Sequence, residues 1–218
     1  MVRTRGSRNL QYDVRRRELL FEARARLAEP GGSGTSLREL ALACGVSVAT
    51  LRHYFPRRED LIFAVMSENL ADARPHLAHA AEPHGPFAAS IRELLGYIAF
   101  GFTQGVGDIY TVGLTEGLRE PTVGPGFVNL VLEPSIDAVR RRLDAHVAMK
   151  HMREVDTRHA ALSLLSPVVL LMLHQRELGG SVDHPGDVDR FLDDHAGGFV
   201  RAYGRTVAAP TRQRSAPA

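Results

Sequence analysis

Apolar residues recur along this chain at helical intervals, and no stretch alternates as a half-buried strand would. Leu20, Ala23 and Leu27 repeat at i, i+3 and i+7 and predict a first helix over about 12–28, which PGGSG (30–34) ends. Ser36-Leu37-Arg38-Glu39 has the form of a capping box, in which a hydroxyl and a carboxylate satisfy orphan amides at a helix start, so a short second helix runs to about Ala43. Cys44-Gly45-Val46 makes a tight turn, with Gly45 free to take a positive φ. Ser47 caps a third helix, which Pro56 ends through its restriction on Phe55. A fourth opens at Pro56 or Arg57 and runs to about 74, with Glu59 and Asp60 in its first turn, where the helix dipole favours anions.

Further helices are expected at about 86–104, 108–118, 123–150, 154–178 and 185–203, separated by EPHGP, GVG, REPTVGPG and GGSVDHPG. The pattern predicts an all-α protein of about nine helices, with a three-helix helix-turn-helix head over 1–56 and a larger helical body over 57–205. Residues 206–218 lack an apolar face and are expected to be disordered.

With one Cys in 218 residues there is no internal disulfide and no CxxC metal pair, which fits a reducing cytoplasm. The basic start lacks an apolar signal region, and the longest apolar run, Pro167 to Leu173, falls well short of the roughly 20 residues of a membrane span, so a soluble chain without a membrane partner is expected. The net charge of +2 is unevenly placed. Residues 1–60 carry twelve Arg against seven acids, while the remainder is net negative, so the basic end should face a polyanion.

The helix-turn-helix gives that polyanion a reader. Leu40, Ala41, Val46, Leu51 and Phe55 are spaced to pack the second and third helices on the first. The opposite side of the third helix then carries Val48, Ala49, Arg52 and His53, with Thr50 beside them and Ser47 at the cap, at the end that enters a major groove. Arg52 can bond guanine O6 and N7, a pair worth roughly 1–3 kcal/mol of base discrimination, and Ala49 and Thr50 can meet thymine methyls. Ser36, Tyr54, Arg58 and the first amides of helix four are expected to hold phosphates.

These residues carry a family resemblance. TSLRELALACGVSVATLRHYFPRREDLIFAV resembles the N-terminal signature of the TetR family of bacterial transcriptional regulators, continuously from about Leu20 to Val65. It includes Gly45-Val46-Ser47, Thr50-Leu51, Tyr54-Phe55 and Glu59-Asp60-Leu61. The resemblance implies a homodimer with one DNA-reading head per subunit and a divergent ligand-binding and dimerising body. It places Arg38, Val48, Ala49, Thr50, Arg52 and His53 where such proteins read bases or nearby backbone, and Ser36, Tyr54 and Arg58 at positions that touch phosphate. Arg52 departs from the Tyr common there, which changes the expected operator preference, and Arg58 keeps the charge of a frequent Lys.

Elsewhere the expectations are plainer. Cys44 reads as a small buried hydrophobe rather than a redox sensor. Arg3, Arg5 and Arg8 form a basic arm that either enters a minor groove or stays free. Arg140, Arg141 and Arg142 read as a solvated helix face. His76, His79 and His84 are close in sequence, but Pro75, Pro83 and Gly85 should break the helix around them and no carboxylate cluster joins them, so neither metal nor cofactor is expected.

The body supplies apolar surface on several helices. An effector pocket between them would draw on Phe100, Gln104, Tyr110, Leu114, Phe127, Leu130, Val168 and Met172, with Gln104, Glu116, Asn129 and His174 as buried polar candidates. A dimer interface would use the segments 160–178 and 191–203, through Leu164, Leu165, Leu171, Ala196, Gly197, Phe199 and Val200. No GxSxG, P-loop, HExxH or Rossmann fingerprint is present, so the chain is not expected to be an enzyme. The partners expected are double-stranded operator DNA, a small-molecule effector and a second copy of the chain. The alternative is a DNA-bound structural or cell-division factor that holds a protein instead of a small ligand.

Overall fold

The computed structural model describes residues 5–205, with side chains from Leu10 onward. The expectations for the side chains of Arg3, Arg5 and Arg8 and for the tail lie outside the described residues. The protein is all-helical, with nine rods among the described residues and one extra turn. The head is α1 (Arg5–Ala28), α2 (Leu37–Ala43) and α3 (Val48–Tyr54), and α4 (Arg58–Ala81) leads from it into the body.

The body continues with α5 (Phe87–Gly101) and α6 (Gly107–Arg119), then α7 (Gly124–Phe127), which flows through a wide turn at Val128–Leu132 into α8 (Glu133–Ala148) as one rod. It closes with α9 (Thr157–Met172), extended by a wide turn to Glu177, the single turn α10 (Gly180–Asp183) and α11 (Val188–Tyr203). In the body α8 packs on α9 and α4, and α11 packs on α5; α1 lies across α6 and so joins head to body.

In the head, Leu20, Ala23 and Leu27 of α1 are buried together with Leu40, Ala41, Leu51 and Phe55, the face predicted from their spacing, with Val46 half-buried against it and Leu19 added to it. Cys44 is buried beside them, its thiol reaching the Leu19 carbonyl at 3.6 Å, and burial pushes its pKa up, away from thiolate chemistry. The chain between α5 and α6 turns where Gln104 and Gly105 leave helical geometry; Gly105, at φ 95°, occupies a conformation other residues resist.

Two expectations are corrected. Helix α4 does not stop near 74 but passes through Pro75 to Ala81. The proline removes one amide donor to the carbonyl of Ala71, and both residues face solvent, where water takes the bond. Arg142 is not part of a solvated face. It is fully buried, donating to the carbonyls of Ala80, Ser90 and His79 and to Glu93, so its hydrogen bonds satisfy a charge that burial alone would not tolerate. Among the described residues, Thr157–Glu177 is long and apolar enough by length and composition to cross a membrane, a test that core helices of soluble proteins also pass. Only 33% of its most apolar window is buried in the protomer.

Candidate DNA-reading face and body cleft

The candidate reading face is built by two caps and a turn. Ser36 accepts the Glu39 amide at 3.2 Å while the Glu39 carboxylate accepts the Ser36 amide at 2.7 Å, which fixes the start of α2. Gly45 takes φ 63° in the turn. Ser47 then accepts the Thr50 amide at 3.0 Å and starts α3. Leu51 has no exposed surface and anchors the helix from below.

The opposite side of α3 is open. Ala49, Thr50, Arg52 and His53 are exposed, Val48 is half-buried, and Arg38 projects to solvent from α2. Tyr54 is half-buried because it stacks on Tyr12 of α1, with ring centroids 4.6 Å apart, while His53 meets both rings edge-on. Tyr12 went unrecognised in the sequence, since nothing in its spacing ties it to a helix some forty positions away. Ser36 and Ser47 are exposed but already engaged as caps.

Arg58 stands apart from the other expected DNA contacts. Its guanidinium is turned back toward the body, where Nη1 and Nη2 bind the Glu116 carboxylate at 2.8 and 2.6 Å and Nε binds the Thr35 carbonyl at 2.6 Å. The neighbouring Arg57 is exposed and pairs with Asp60 at 2.8 Å.

The family model described as bacterial regulatory proteins, tetR family, matches residues 19–65, from the buried face of α1 to the first turns of α4. Over this stretch the chain is similar to the TetR family. RutR, an HTH-type transcriptional regulator of Escherichia coli (strain K12), is 32% identical over 88 residues, covering 40% of this chain and 42% of RutR. The chain thus spans less than half the length of the curated relatives it matches. The fold extends further. A TetR-family structure from Mesorhizobium loti MAFF303099 superposes with TM-score 0.73 at 18% identity over 93% of this chain and 100% of that one. Salmonella enterica GusR superposes with TM-score 0.64 at 24% identity, covering 86% and 95%.

In the body, an open cleft of about 910 Å³ lies between the α5–α6 junction and the α9–α11 end. Of the residues named from the sequence, Phe100 and Met172 line it, together with Phe102, Asp108, Gln175 and Leu192. The GVG interruption was the available signal, because the kink at Gly105 opens this space.

The other expected pocket residues do not meet there. Tyr110, Phe127 and Val168 are buried in the core, with Tyr110 edge-on to Phe127 at 5.8 Å, and Leu114 and Leu130 pack against it. Gln104 and Asn129 are exposed rather than buried, His174 is half-buried, and Glu116 is buried but committed to Arg58. Gln175 is the buried amide instead; its Nε2 donates to the His184 carbonyl and its Oε1 accepts the Gly186 amide, both at 3.0 Å.

The expected dimer residues divide in the same way. Leu164, Leu165, Ala196 and Phe199 are buried within the protomer, while Leu171, Gly197 and Val200 are half-buried. Helical spacing turns a different set outward on α9, with Ser163 and Ser166 exposed and Leu170 67% exposed.

Proposed function

We propose that this chain is a cytoplasmic, dimeric DNA-binding transcriptional regulator of the TetR family, a repressor released from its operator by a small molecule held in the body cleft. The observation that carries the reading is the exposed side of α3, with Ala49, Thr50, Arg52 and His53 presented on a helix clamped through Leu51 and capped by Ser47. A rigid helix with a free polar face and a basic head is what major-groove reading requires. Residues 1–56 act as the reading head and 57–205 as the sensing and dimerising body. Two heads meet successive major grooves about 34 Å apart on a near-palindromic site. RutR, by its name a transcriptional regulator, supports the same role here.

The cleft has a route to the head. Arg24 of α1 bonds the Gly105 carbonyl and lies 3.6 Å from Asp108, and both Gly105 and Asp108 line the cleft. A ligand that moves the α5–α6 kink therefore pulls on α1, while Glu116 pulls on α4 through Arg58. A coupling of about 1–3 kcal/mol changes operator affinity some 5- to 150-fold. The open cleft favours a small ligand over a protein partner.

Footprinting of the full-length protein on DNA upstream of its own gene and its neighbours tests the reading. Protection of one or a few promoter sites, relieved by a metabolite, supports regulation. Protection scattered over many unrelated sites, or none at low salt, overturns it.

A further inference from the structure

His79 near the end of α4, His84 in the connection to α5, and Glu93 within α5 converge, each presenting one ligand atom within 4.8 Å of the others. His79 Nε2 lies 2.9 Å from Glu93 Oε1, and the His79 and His84 rings stack with centroids 4.5 Å apart. The carboxylate missing from the sequence pattern comes from the next helix, and continuation of α4 through Pro75 keeps His79 on a rigid rod.

The groups behind these side chains already hold them in position. Buried Arg142 binds the other oxygen of Glu93 at 2.7 Å and the carbonyl of His79 at 3.0 Å, so it fixes both elements that carry the ligands. Burial opposes ionisation of Glu93, but hydrogen bonds from Arg142 and His79 outweigh it and hold the carboxyl below its ordinary range. His84 supplies an independent sign, because its Nε2 is buried and has no hydrogen-bond partner. Leaving such an atom buried and unsatisfied is costly, and a cation would satisfy it. The His79 and Glu93 side chains are 41% and 36% exposed, which leaves an entry path and room for water.

We propose that His79, His84 and Glu93 bind a divalent transition cation of the zinc class, with solvent completing the coordination. Two imidazoles and one carboxylate suit zinc, whereas calcium and magnesium prefer all-oxygen sets. Binding replaces the His79–Glu93 hydrogen bond, and any proton on a coordinating nitrogen leaves to solvent. The ion would staple the far end of α4 to α5, on the helix that starts at Arg58 beside the head.

Untagged full-length protein, stripped with chelator, is titrated with Zn²⁺ by calorimetry and with Co²⁺ by visible absorption. One equivalent per chain is expected, with Co²⁺ bands showing nitrogen–oxygen coordination. His84→Ala and Glu93→Gln should each weaken binding by at least about 10-fold, the lower end of what even a residue that only hydrogen-bonds a metal ligand contributes. Circular dichroism checks that both variants keep their helices, and His84→Gln substitutes if His84→Ala does not. His151→Ala, whose ring lies beside His146 rather than beside these three residues, should leave binding unchanged. Absence of binding by either ion, or a folded His84 variant with undiminished affinity, overturns the site. Neither readout involves DNA, so failure here leaves the regulatory reading standing, and the reverse holds.

Discussion

Arg58, in the first turn of α4, and Glu116, in α6, face each other in a two-point ion pair with N–O distances of 2.8 and 2.6 Å. Glu116 is 1% exposed and also accepts the Gly34 amide at 3.1 Å, so one buried carboxylate joins the head–body helix, the loop before α2 and the body. Removing one partner of a buried pair is more damaging than replacing both, because the survivor is left charged and unpaired. Glu116→Ala should therefore destabilise the protein by about 3 kcal/mol. Arg58→Met with Glu116→Leu should recover most of that loss. Urea unfolding of the singles and the double measures it; a single variant within error of the parent would show that the pair does not hold the head.

The same carboxylate sets the acid limit. Burial works against its charge, but Arg58 and the Gly34 amide bind the ionised form and keep its pKa below the ordinary carboxyl value. With the folded pKa depressed, the contribution is present above the unfolded value of about 4.3 and is lost as pH falls through the folded one. Glu116→Gln should therefore flatten this part of the acid transition in a urea-midpoint series.

His146 titrates in a separate window. It is fully buried, held by Ser90 Oγ at 2.9 Å and His151 Nδ1 at 3.3 Å, and lies edge-on to Phe87. Burial, then the nearby His151 and Arg142, lower its pKa to about 4. The unfolded chain takes up this proton near pH 6.5 and the folded chain does not, so stability falls as pH drops from about 6.5 toward 4. The shift corresponds to roughly 3 kcal/mol across that window. His146→Leu should remove this dependence; a parent protein equally stable at pH 6.5 and 4.5 would contradict it.

On the reading face, Arg52→Ala should weaken operator binding by about 1–3 kcal/mol and relax preference at one base pair, while leaving non-specific binding nearly unchanged. Tyr12→Ala should act differently. It removes the ring on which Tyr54 stacks and so loosens α3 without deleting a base contact. Electrophoretic mobility shifts on operator and scrambled duplexes separate the two. Equal losses on both duplexes for Arg52→Ala would assign that residue to the phosphates.

How far the sequence reached follows from where each signal resides. Ser36, Gly45 and Ser47 were legible because caps and positive-φ turns are local, and Leu51 because a short amphipathic helix has few ways to face a core. Arg142, Glu93 and Tyr12 were not, since their partners lie in other helices and a charged or aromatic residue carries no local mark of burial. Pro75 misled for a related reason. A proline forbids one hydrogen bond, but whether that ends a helix depends on whether water reaches the carbonyl left behind.

In the helices expected to pair two subunits, several of the expected side chains are already spent on the protomer core. Leu164, Leu165 and Phe199 already fill the protomer core, whereas Leu170 is 67% exposed on a helix whose most apolar window is only 33% buried. A second copy covering α9 and α11 would remove that surface from water, and a buried leucine contributes roughly 1.5–3 kcal/mol. Leu170→Asp should therefore convert dimer to monomer while leaving the fold intact. Gly197→Trp should do likewise, since the nearest atom to an added Cβ there is the end of the flexible Arg201 side chain at 3.2 Å. Sedimentation across a concentration range reads both, and variants that remain dimeric at low concentration would place the interface on another face.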